Sequence, residues 1–193
     1  MAIVTEREAR EAALRHRINV QKSADTILRE SAETYRTSFD VFLSHSRLDS
    51  EVILGVKVII EATGSSVYVD WIDDPQMDRS SVTVDTAEKL RVRMKQSKSL
   101  FYAHSMNSTK SRWMPWELGY FDGFNGNVAI FPIAGAATPV SNRGEEYLGL
   151  YPYVDVTGRN VNSPGTLYIH RNERDYAGYG RWREGADKLR PRA

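Results

Sequence analysis

Short apolar segments alternate with longer segments of helical character through the middle of this chain, and this alternation limits the fold most. The apolar segments have the length of buried strands and comprise residues 39–43, 66–71, 98–104 and 128–133. Apolar residues at helical spacing cover residues 84–96. The segment 51–63 is rich in Val and Ile, but its length, the closing Gly64 and the need for a crossover between parallel strands favour a helix. This order predicts an α/β fold with a mainly parallel sheet and helices on both faces.

The two ends of the chain fall outside the alternation. Residues 1–37 are predicted to form a helical extension that either folds back on its own domain, which we favour, or serves as an oligomerising arm. Its thin apolar stripe consists of Leu14, Ile18, Ile27 and Leu28. Residues 151–156 are a candidate fifth strand, and residues 158–193 form a C-terminal extension with a short helix over 181–189. Pro132 near the end of the fourth strand predicts an edge position for that strand.

Composition excludes several classes of protein. The chain has 193 residues, of which 41% are hydrophobic and 26% charged, and its net charge of +1 gives no support to binding of nucleic acid through its phosphates. Cysteine is absent and the four histidines lack metal-ligand spacing, so we expect no metal site. No apolar run approaches the ~20 residues of a membrane span, and the N-terminus lacks a signal-peptide core. We therefore expect a cytoplasmic protein that contacts neither nucleic acid nor membrane.

Polar loops follow three of the predicted strands, at residues 44–49, 71–81 and 104–111. Loops at the carboxyl ends of parallel strands meet at one edge of the sheet, where open α/β folds bind their ligands. Ser46 and Asp49 are candidate caps for the helix that follows the first loop. We expect a functional site at this edge.

A tryptophan-rich helix follows the third loop and carries one carboxylate. Trp113 and Glu117 are four residues apart, so they share a face of a helix. Pro115 fits the first turn, and Ser111 is a candidate cap. These residues alone allow two interpretations, in which the indoles belong to the core and Glu117 is a helix-start carboxylate, or in which Glu117 faces a ligand pocket with aromatic walls.

A lone carboxylate in an aromatic pocket suits chemistry at the anomeric carbon of a sugar, where an oxocarbenium-like transition state needs a nearby negative charge. One glutamate is enough when the leaving group is already cationic, as nicotinamide is in NAD⁺. Neither a Gly-x-Gly-x-x-Gly fingerprint, a P-loop nor a Gly-x-Ser-x-Gly elbow occurs, which argues against a dehydrogenase, an NTPase or an α/β-hydrolase.

Two motifs resemble those of TIR (Toll/interleukin-1 receptor) domains. Residues 39–46, Phe-Asp-Val-Phe-Leu-Ser-His-Ser, look like the opening strand of that family, and the loop after residues 67–71 looks like its BB loop. Ser111-x-Trp113-x-x-x-Glu117 resembles the Trp-x-x-x-Glu helix of the enzymatic branch. The resemblance covers residues 38–157 and implies a flavodoxin-like sheet of five strands.

The resemblance also implies an activity and a set of site residues. Catalytic TIR domains cleave NAD⁺ to nicotinamide and ADP-ribose or a cyclic ADP-ribose isomer. By this likeness Glu117 is the catalytic glutamate at the nicotinamide ribose, and Trp113 walls the pocket. The other expected substrate-binding residues are Ser44, His45 and Ser46 after the first strand, and Trp71, Asp73, Asp78 and Arg79 of the BB-like loop. NAD⁺ is then a substrate, and neither a cofactor nor a metal is expected.

A short chain of this kind resembles bacterial TIR proteins, among them the Thoeris-type antiphage proteins, whose nucleotide product activates a separate effector. Self-association is implied as well, because catalytic TIR domains usually need assembly to complete their site. Two alternatives stay open at this point. In the first, the chain is a non-catalytic TIR adaptor or virulence-type protein that acts by docking. In the second, it is an enzyme like the nucleoside deoxyribosyltransferases, with Glu117 as the covalent nucleophile.

Overall fold

A central sheet with helices on both faces organises the molecule. The structure is a computed structural model, and it describes residues 3–20, 37–74, 83–135, 146–160 and 163–185. Within these ranges the strands are β1 (Val4–Thr5), β2 (Phe39–Ser44), β3 (Val67–Tyr68), β4 (Ser97–His104), β5 (Val128–Ala134), β6 (Tyr153–Thr157), β7 (Thr166–His170) and β8 (Tyr176–Gly178). The helices are α1 (Glu6–Val20), α2 (Ser50–Ala62), α3 (Asp70–Asp73), α4 (Val84–Lys95), α5 (Met114–Phe124) and α6 (Tyr179–Arg183).

The described strands form one sheet in the order β3-β2-β4-β5-β6-β7-β8, with the short β1 paired to β5. All pairs from β3 to β6 are parallel, whereas β7 and β8 join antiparallel. The five predicted strands therefore lie in the order second, first, third, fourth, fifth, which is the flavodoxin-like arrangement. The predicted α/β class, the mainly parallel sheet and the helices on both faces are confirmed, and the strands outside the predicted five widen the sheet.

Two apolar layers cover the two faces of the sheet. Successive strand residues point to opposite faces, so Val41 and Leu43 of β2 join one layer while Phe42 joins the other. The first layer also takes residues of α1, α2 and α6, and the second takes residues of α4 and α5. The ambiguous segment 51–63 is helical for this reason, since its Val and Ile side chains cover one face of the sheet.

The N-terminal helix α1 folds back onto α2, as we favoured. A Cβ atom on Gly55 would lie 1.7 Å from the carbonyl oxygen of Ala9, so glycine allows the two backbones to touch. The expected apolar stripe is not the buried face, since Leu14 and Ile18 are 59% and 53% exposed and the alanine side of α1 packs instead. Ile27 and Leu28 lie outside the described residues.

The second predicted strand is shorter than the sequence indicates. β3 ends at Tyr68, and Asp70–Asp73 forms a single helical turn, so Trp71 is not a strand residue. The Asp73 carboxylate accepts a hydrogen bond from the N–H of Val69 at 2.7 Å. This bond from the side chain back to the backbone just before the turn stabilises the helical turn that replaces the longer strand.

Pro132 does not mark an edge strand, so that prediction is wrong. β5 lies inside the sheet between β4 and β6. Pro132 falls between Ile130, which pairs with β6, and Ile133, which pairs with β1. Proline has no N–H to donate, and Pro132 is tolerated because it lies between the pairing with β6 and the pairing with β1, where no donor is needed.

The C-terminal extension continues the sheet through β7 and β8 and then forms α6. This helix begins at Tyr179 and ends at Arg183, earlier than the predicted 181–189, and Gly185 follows with φ of 78°. Tyr179 donates to the carbonyl of Asp40, and Arg183 donates to the Asp40 carboxylate.

The predicted domain boundaries stay a prediction. No helix within the described ranges combines the length and apolarity needed to cross a bilayer.

Candidate active site

A buried contact joins Glu117 to the end of β2. The hydroxyl of Ser44 donates a hydrogen bond to Glu117 Oε2 at 2.6 Å, and both residues have no solvent exposure. Bonds to a carboxylate of this length are charge-assisted and stronger than those between neutral groups. The contact lies at the carboxyl ends of the parallel strands, where the sequence places the site.

The start of α5 fixes the direction of Glu117. Pro115 occupies the first turn as predicted, and Ser111 Oγ accepts from the N–H of Met114 at 3.3 Å. The N–H of Glu117 donates to the carbonyl of Trp113 at 2.8 Å. A carboxylate in the first turn is stabilised by the positive end of the helix dipole. The helix therefore begins one residue after Trp113 and holds Glu117 beside β2.

Trp113 is part of the apolar layer on this face of the sheet. Its indole is buried and meets that of Trp116 edge to face, with ring centroids 5.5 Å apart. Trp116 in turn stacks on Tyr120 at 5.7 Å. The indoles therefore belong to the core, as one interpretation of the tryptophan helix expected, and the interpretation of Glu117 as facing a ligand pocket with aromatic walls stays a prediction.

The three residues that follow Leu43 have different surroundings. Ser44 points to α5, whereas His45 points to the other side, with Nδ1 2.8 Å from the Leu43 carbonyl and Nε2 3.2 Å from Asp70 Oδ1. Ser46 Oγ accepts from the N–H of Leu48 at 3.4 Å and so caps the short 3₁₀ turn. Of these three side chains, Ser44 is the one that contacts Glu117.

The described part of the BB-like loop carries Trp71 and Asp73. Trp71 is partly buried against the layer formed by α1 and α2. The Asp73 carboxylate lies 4.0 Å from the Lys57 ammonium. Burial raises the pKa of Asp73, and the Lys57 charge only partly offsets this. Asp78 and Arg79 lie outside the described residues.

Asp74, which follows β3, has a carboxylate paired with an arginine and was not among the predicted site residues. Both oxygens of Asp74 accept from the Arg93 guanidinium, at 2.6 and 2.7 Å, and Tyr68 donates to it at 2.8 Å. Burial alone would raise the pKa of Asp74, but the bonds from Arg93 and Tyr68 outweigh it and lower that pKa. The sequence signal is weak, because Arg93 is 19 residues away and belongs to α4.

A second buried carboxylate joins the first and third loops. Asp49 stands before α2 but makes no capping bond. Its oxygens accept instead from Ser105 at 2.5 Å and from the Asn107 amide at 2.7 Å. Of the two candidate caps, therefore, only Ser46 makes a capping bond, and Asp49 holds the two loops together at the edge of the site.

The arrangement supplies a buried carboxyl group with a hydroxyl donor beside it. Because Glu117 has no exposed surface, a substrate reaches its carboxylate only after the surrounding side chains move. Among the described residues no cluster of three or more His, Asp or Glu side chains is arranged to hold a metal ion. The chemistry available from these side chains is electrostatic stabilisation of a developing cation and transfer of a proton.

Comparison with known proteins gives two related chains. No protein-family model matches this chain. A Bacillus cereus (strain MSX-D12) protein described as a probable 3′ cyclic ADP-D-ribose synthase ThsB′ is 49% identical over 164 residues, 83% of this chain and 84% of that protein. A putative cyclic ADP-D-ribose synthase TIR2 of Cytobacillus dafuensis is 36% identical over 83 residues, 42% of this chain and 22% of the relative.

Proposed function

This chain belongs to the Thoeris-type TIR family of ThsB′, and on that basis we propose that it cleaves the nicotinamide–ribose bond of NAD⁺ and closes the ADP-ribose into a cyclic isomer. The names of both relatives, each described as a cyclic ADP-D-ribose synthase, support this reaction. The name of the first relative specifies a 3′ cyclic product, and we propose the same isomer here. The docking adaptor is not favoured, because neither relative is described as one, and no observation favours a deoxyribosyltransferase.

The contact between Ser44 and Glu117 is the observation that carries the mechanism. When the bond from the anomeric carbon to nicotinamide breaks, nicotinamide leaves as a neutral molecule and positive charge develops on the ribose. The Glu117 carboxylate faces that charge and stabilises it. The Ser44 hydroxyl holds the carboxylate in one orientation, so little reorganisation accompanies the reaction.

Exclusion of water decides between a cyclic and a linear product. If a hydroxyl of the same ADP-ribose attacks the anomeric carbon and loses its proton, the ring closes, whereas attack by water gives linear ADP-ribose. The buried carboxylate and the indole of Trp113 favour the first outcome, because they leave little room for water beside the reacting carbon. Glu117 is the nearest base for the proton that the attacking hydroxyl loses.

The remaining expected site residues take supporting roles in this proposal. Ser46 and His45 follow the end of β2, and Trp71 and Asp73 stand at the start of the BB-like loop, which we propose to contact the substrate. We keep Asp78 and Arg79 as proposed substrate contacts on the basis of the family resemblance. NAD⁺ is the substrate in this scheme, and neither a metal nor a further cofactor takes part.

The biological setting is proposed from the family. The cyclic product is a signal in antiphage defence, and a separate effector that senses it is the expected partner. Self-association through TIR–TIR contacts completes the site from a neighbouring subunit. We place the protein in the cytoplasm, where NAD⁺ is available.

The test follows nicotinamide release from NAD⁺ by chromatography with wild type, Glu117→Gln and the control Glu11→Gln. Glu11 lies on the exposed side of α1, 4.0 Å from Arg7, and is unrelated to the site. We expect release by wild type and the control, and a loss of about 10²-fold or more in Glu117→Gln, as for removal of a group that stabilises transition-state charge. Equal release by all three proteins, folded to the same extent, would contradict the proposal.

A further inference from the structure

The segment that leads from β4 to α5 is attached to the segment that follows β2. β2 and β4 are neighbouring parallel strands, with Ser44 opposite Tyr102. The chain after β2 continues from Ser44 to Asp49, and the chain after β4 continues to Glu117, and both lie within the described residues. The two segments are joined at the hydrogen bond from Ser44 to Glu117, and again at the hydrogen bonds that Asp49 accepts.

Asp49 stands at the N-cap position of α2 but does not cap that helix. An aspartate at this position usually accepts a hydrogen bond from the backbone of its own helix, and here that bond is not made. Oδ2 accepts instead from Ser105 Oγ at 2.5 Å, and Oδ1 accepts from the Asn107 amide at 2.7 Å. Asp49 and Ser105 are both buried. Hydrogen bonds to a carboxylate are among the stronger ones in proteins, so this contact is a firm link between the two loops.

The other hydrogen bonds of Asn107 fix the orientation of its amide. Its Nδ2 donates to Asp49, and its backbone N–H donates to Ser105 Oγ at 3.1 Å. Its Oδ1 accepts from the Lys110 ammonium at 2.9 Å. If the amide oxygen and nitrogen were exchanged, Lys110 would face a donor, so this orientation is the one that satisfies both ends. Asp49 therefore supplies the acceptor for the side chains of both Ser105 and Asn107.

Further hydrogen bonds continue from this contact to the start of α5. Ser108, which has no solvent exposure, donates its hydroxyl and its N–H to the carbonyl of Ser105, at 2.9 and 3.3 Å. The N–H of Ser111 donates to the Ser108 carbonyl at 3.1 Å, and Ser111 Oγ accepts from the N–H of Met114. α5 begins at Met114 and carries Glu117 in its first turn. A displacement of Ser105 is therefore passed on to the turn that holds the Glu117 carboxylate.

We propose that Asp49 is a positioning residue for the reaction, which holds Glu117 in the place where it stabilises the charge on the ribose. The inference rests on the proposed function for its kinetic consequence. Asp49 acts through Ser105 and Asn107 and needs no contact with a reacting atom. The apolar face of α5 packs on the sheet independently of Asp49, so loss of the Asp49 contacts leaves the helix in place and shifts its start.

The experiment compares wild type with Asp49→Ala, Asp49→Asn and Ser105→Ala. Steady-state release of nicotinamide gives kcat and KM separately. Amide hydrogen exchange on peptides covering residues 105–113 reports local opening of the segment before α5, and the thermal midpoint is measured on the same samples. The double variant Asp49→Ala/Ser105→Ala tests whether the two residues act through one contact.

The matched control is Ser99→Ala, which also removes the hydroxyl of a buried serine. Ser99 belongs to β4, as the strand that leads to Ser105, but lies in its first half, where its hydroxyl donates to the Asp40 carbonyl at 2.9 Å. This substitution lowers stability without touching the segment that carries Glu117. We expect it to lower the thermal midpoint and to leave kcat unchanged.

We expect Asp49→Ala to speed exchange in residues 105–113 and to lower kcat by about 10- to 100-fold, since a misplacement of ~1 Å can cost 10²-fold. KM stays nearly the same, because the lost effect acts on the transition state and not on substrate binding. Ser105→Ala lowers kcat less, since Asn107 still binds Asp49. The double variant loses no more than Asp49→Ala alone, because residues that act through one contact are not additive.

Asp49→Asn tests for rescue by a conservative change. The asparagine oxygen still accepts from Asn107, and the asparagine amide donates to the Ser105 hydroxyl, which has a free lone pair. We therefore expect kcat to recover most of the loss seen in Asp49→Ala. If Asp49→Ala does not fold, Ser105→Ala gives the kinetic result.

Unchanged kcat in Asp49→Ala and Ser105→Ala, with a lower thermal midpoint as in Ser99→Ala, would overturn the inference, because Asp49 would then be structural only. A rise in KM with unchanged kcat would do so as well, since it would make Asp49 a residue of substrate binding. If wild type releases no nicotinamide, the proposed function fails, and the exchange in residues 105–113 still decides whether Asp49 holds the segment before α5.

Discussion

Glu117 has a fully buried carboxylate, and the Ser44 hydroxyl donates to it from a different element. The sequence allowed both residues to be placed in one site, because Ser44 ends a recognisable strand and Glu117 lies at the start of a recognisable helix, at the same edge of the sheet. The contact of His45 with Asp70 was not predictable, since Asp70 lies 25 positions away on a turn that the sequence presents as strand.

Replacing Ser44 with alanine leaves the Glu117 carboxylate without that donor. We expect the free energy of unfolding to fall by about 1–3 kcal/mol, the usual cost of an unsatisfied buried group. In the Glu117→Gln background the same change costs less, because residues in contact are coupled. Urea unfolding of the four proteins measures this coupling, and strictly additive losses would show that the two side chains do not interact.

The bound carboxylate of Asp74 predicts a pH dependence of stability. Its pKa in the folded protein lies below the ordinary 3.8, so its contribution is present above that value and is lost as the pH falls through the folded pKa. We expect Asp74→Asn to cost about 2 kcal/mol at neutral pH, as for hydrogen bonds to a charged group. In urea unfolding series the difference from wild type shrinks as the pH falls below the ordinary value of 3.8. A difference that stays constant or grows in acid would contradict this.

Among the elements, those with strong local signals were predicted and those set by tertiary contacts were not. Pro115 and Ser111 mark the start of α5 in the sequence, and the helix begins there. β3 stops early because Asp70–Asp73 turns into a helix, with the Asp73 side chain bonded back to the N–H of Val69. Pro132 is interior because β1 and β6 share one side of β5, an arrangement of distant segments that no local pattern encodes.

Because α1 packs closely on α2, we predict that a change from glycine to alanine in α2 destabilises the protein instead of stabilising it. Alanine normally stabilises a helix relative to glycine by ~1 kcal/mol. We expect Gly55→Ala to destabilise instead, by about 1–3 kcal/mol, because its Cβ would meet the Ala9 carbonyl and displace α1. The matched control is Gly123→Ala in α5, where nothing lies within 4 Å, and there we expect stabilisation. Thermal unfolding of both variants decides, and a stabilising Gly55→Ala would show that α1 does not pack as described.

At the scale of the whole molecule, the segments at both ends belong to the same packed structure as the sheet. α6 places Trp182 and Tyr179 in the layer that contains α1 and α2. The sequence showed little of this, because β7, β8 and α6 are short and their apolar residues carry no periodic pattern of useful length.

Trp182→Ala tests whether the C-terminal segment stabilises the sheet as a unit. We expect a loss of about 3–5 kcal/mol, as for other buried tryptophans, and a single unfolding transition. Chemical denaturation followed by circular dichroism measures both. A loss below about 1 kcal/mol, or two separate transitions, would mean that α6 is not part of the common core.

The most direct measurement incubates the protein with NAD⁺ in water enriched in ¹⁸O and identifies the products by liquid chromatography and mass spectrometry, with Glu117→Gln alongside. We predict nicotinamide and an ADP-ribose isomer that is lighter than ADP-ribose by one water and carries no ¹⁸O, since an internal hydroxyl closes the ring. Linear ADP-ribose labelled with ¹⁸O as the initial product would contradict cyclisation and make the enzyme a hydrolase. Intact NAD⁺ with the assembled, folded protein would contradict the proposed activity itself.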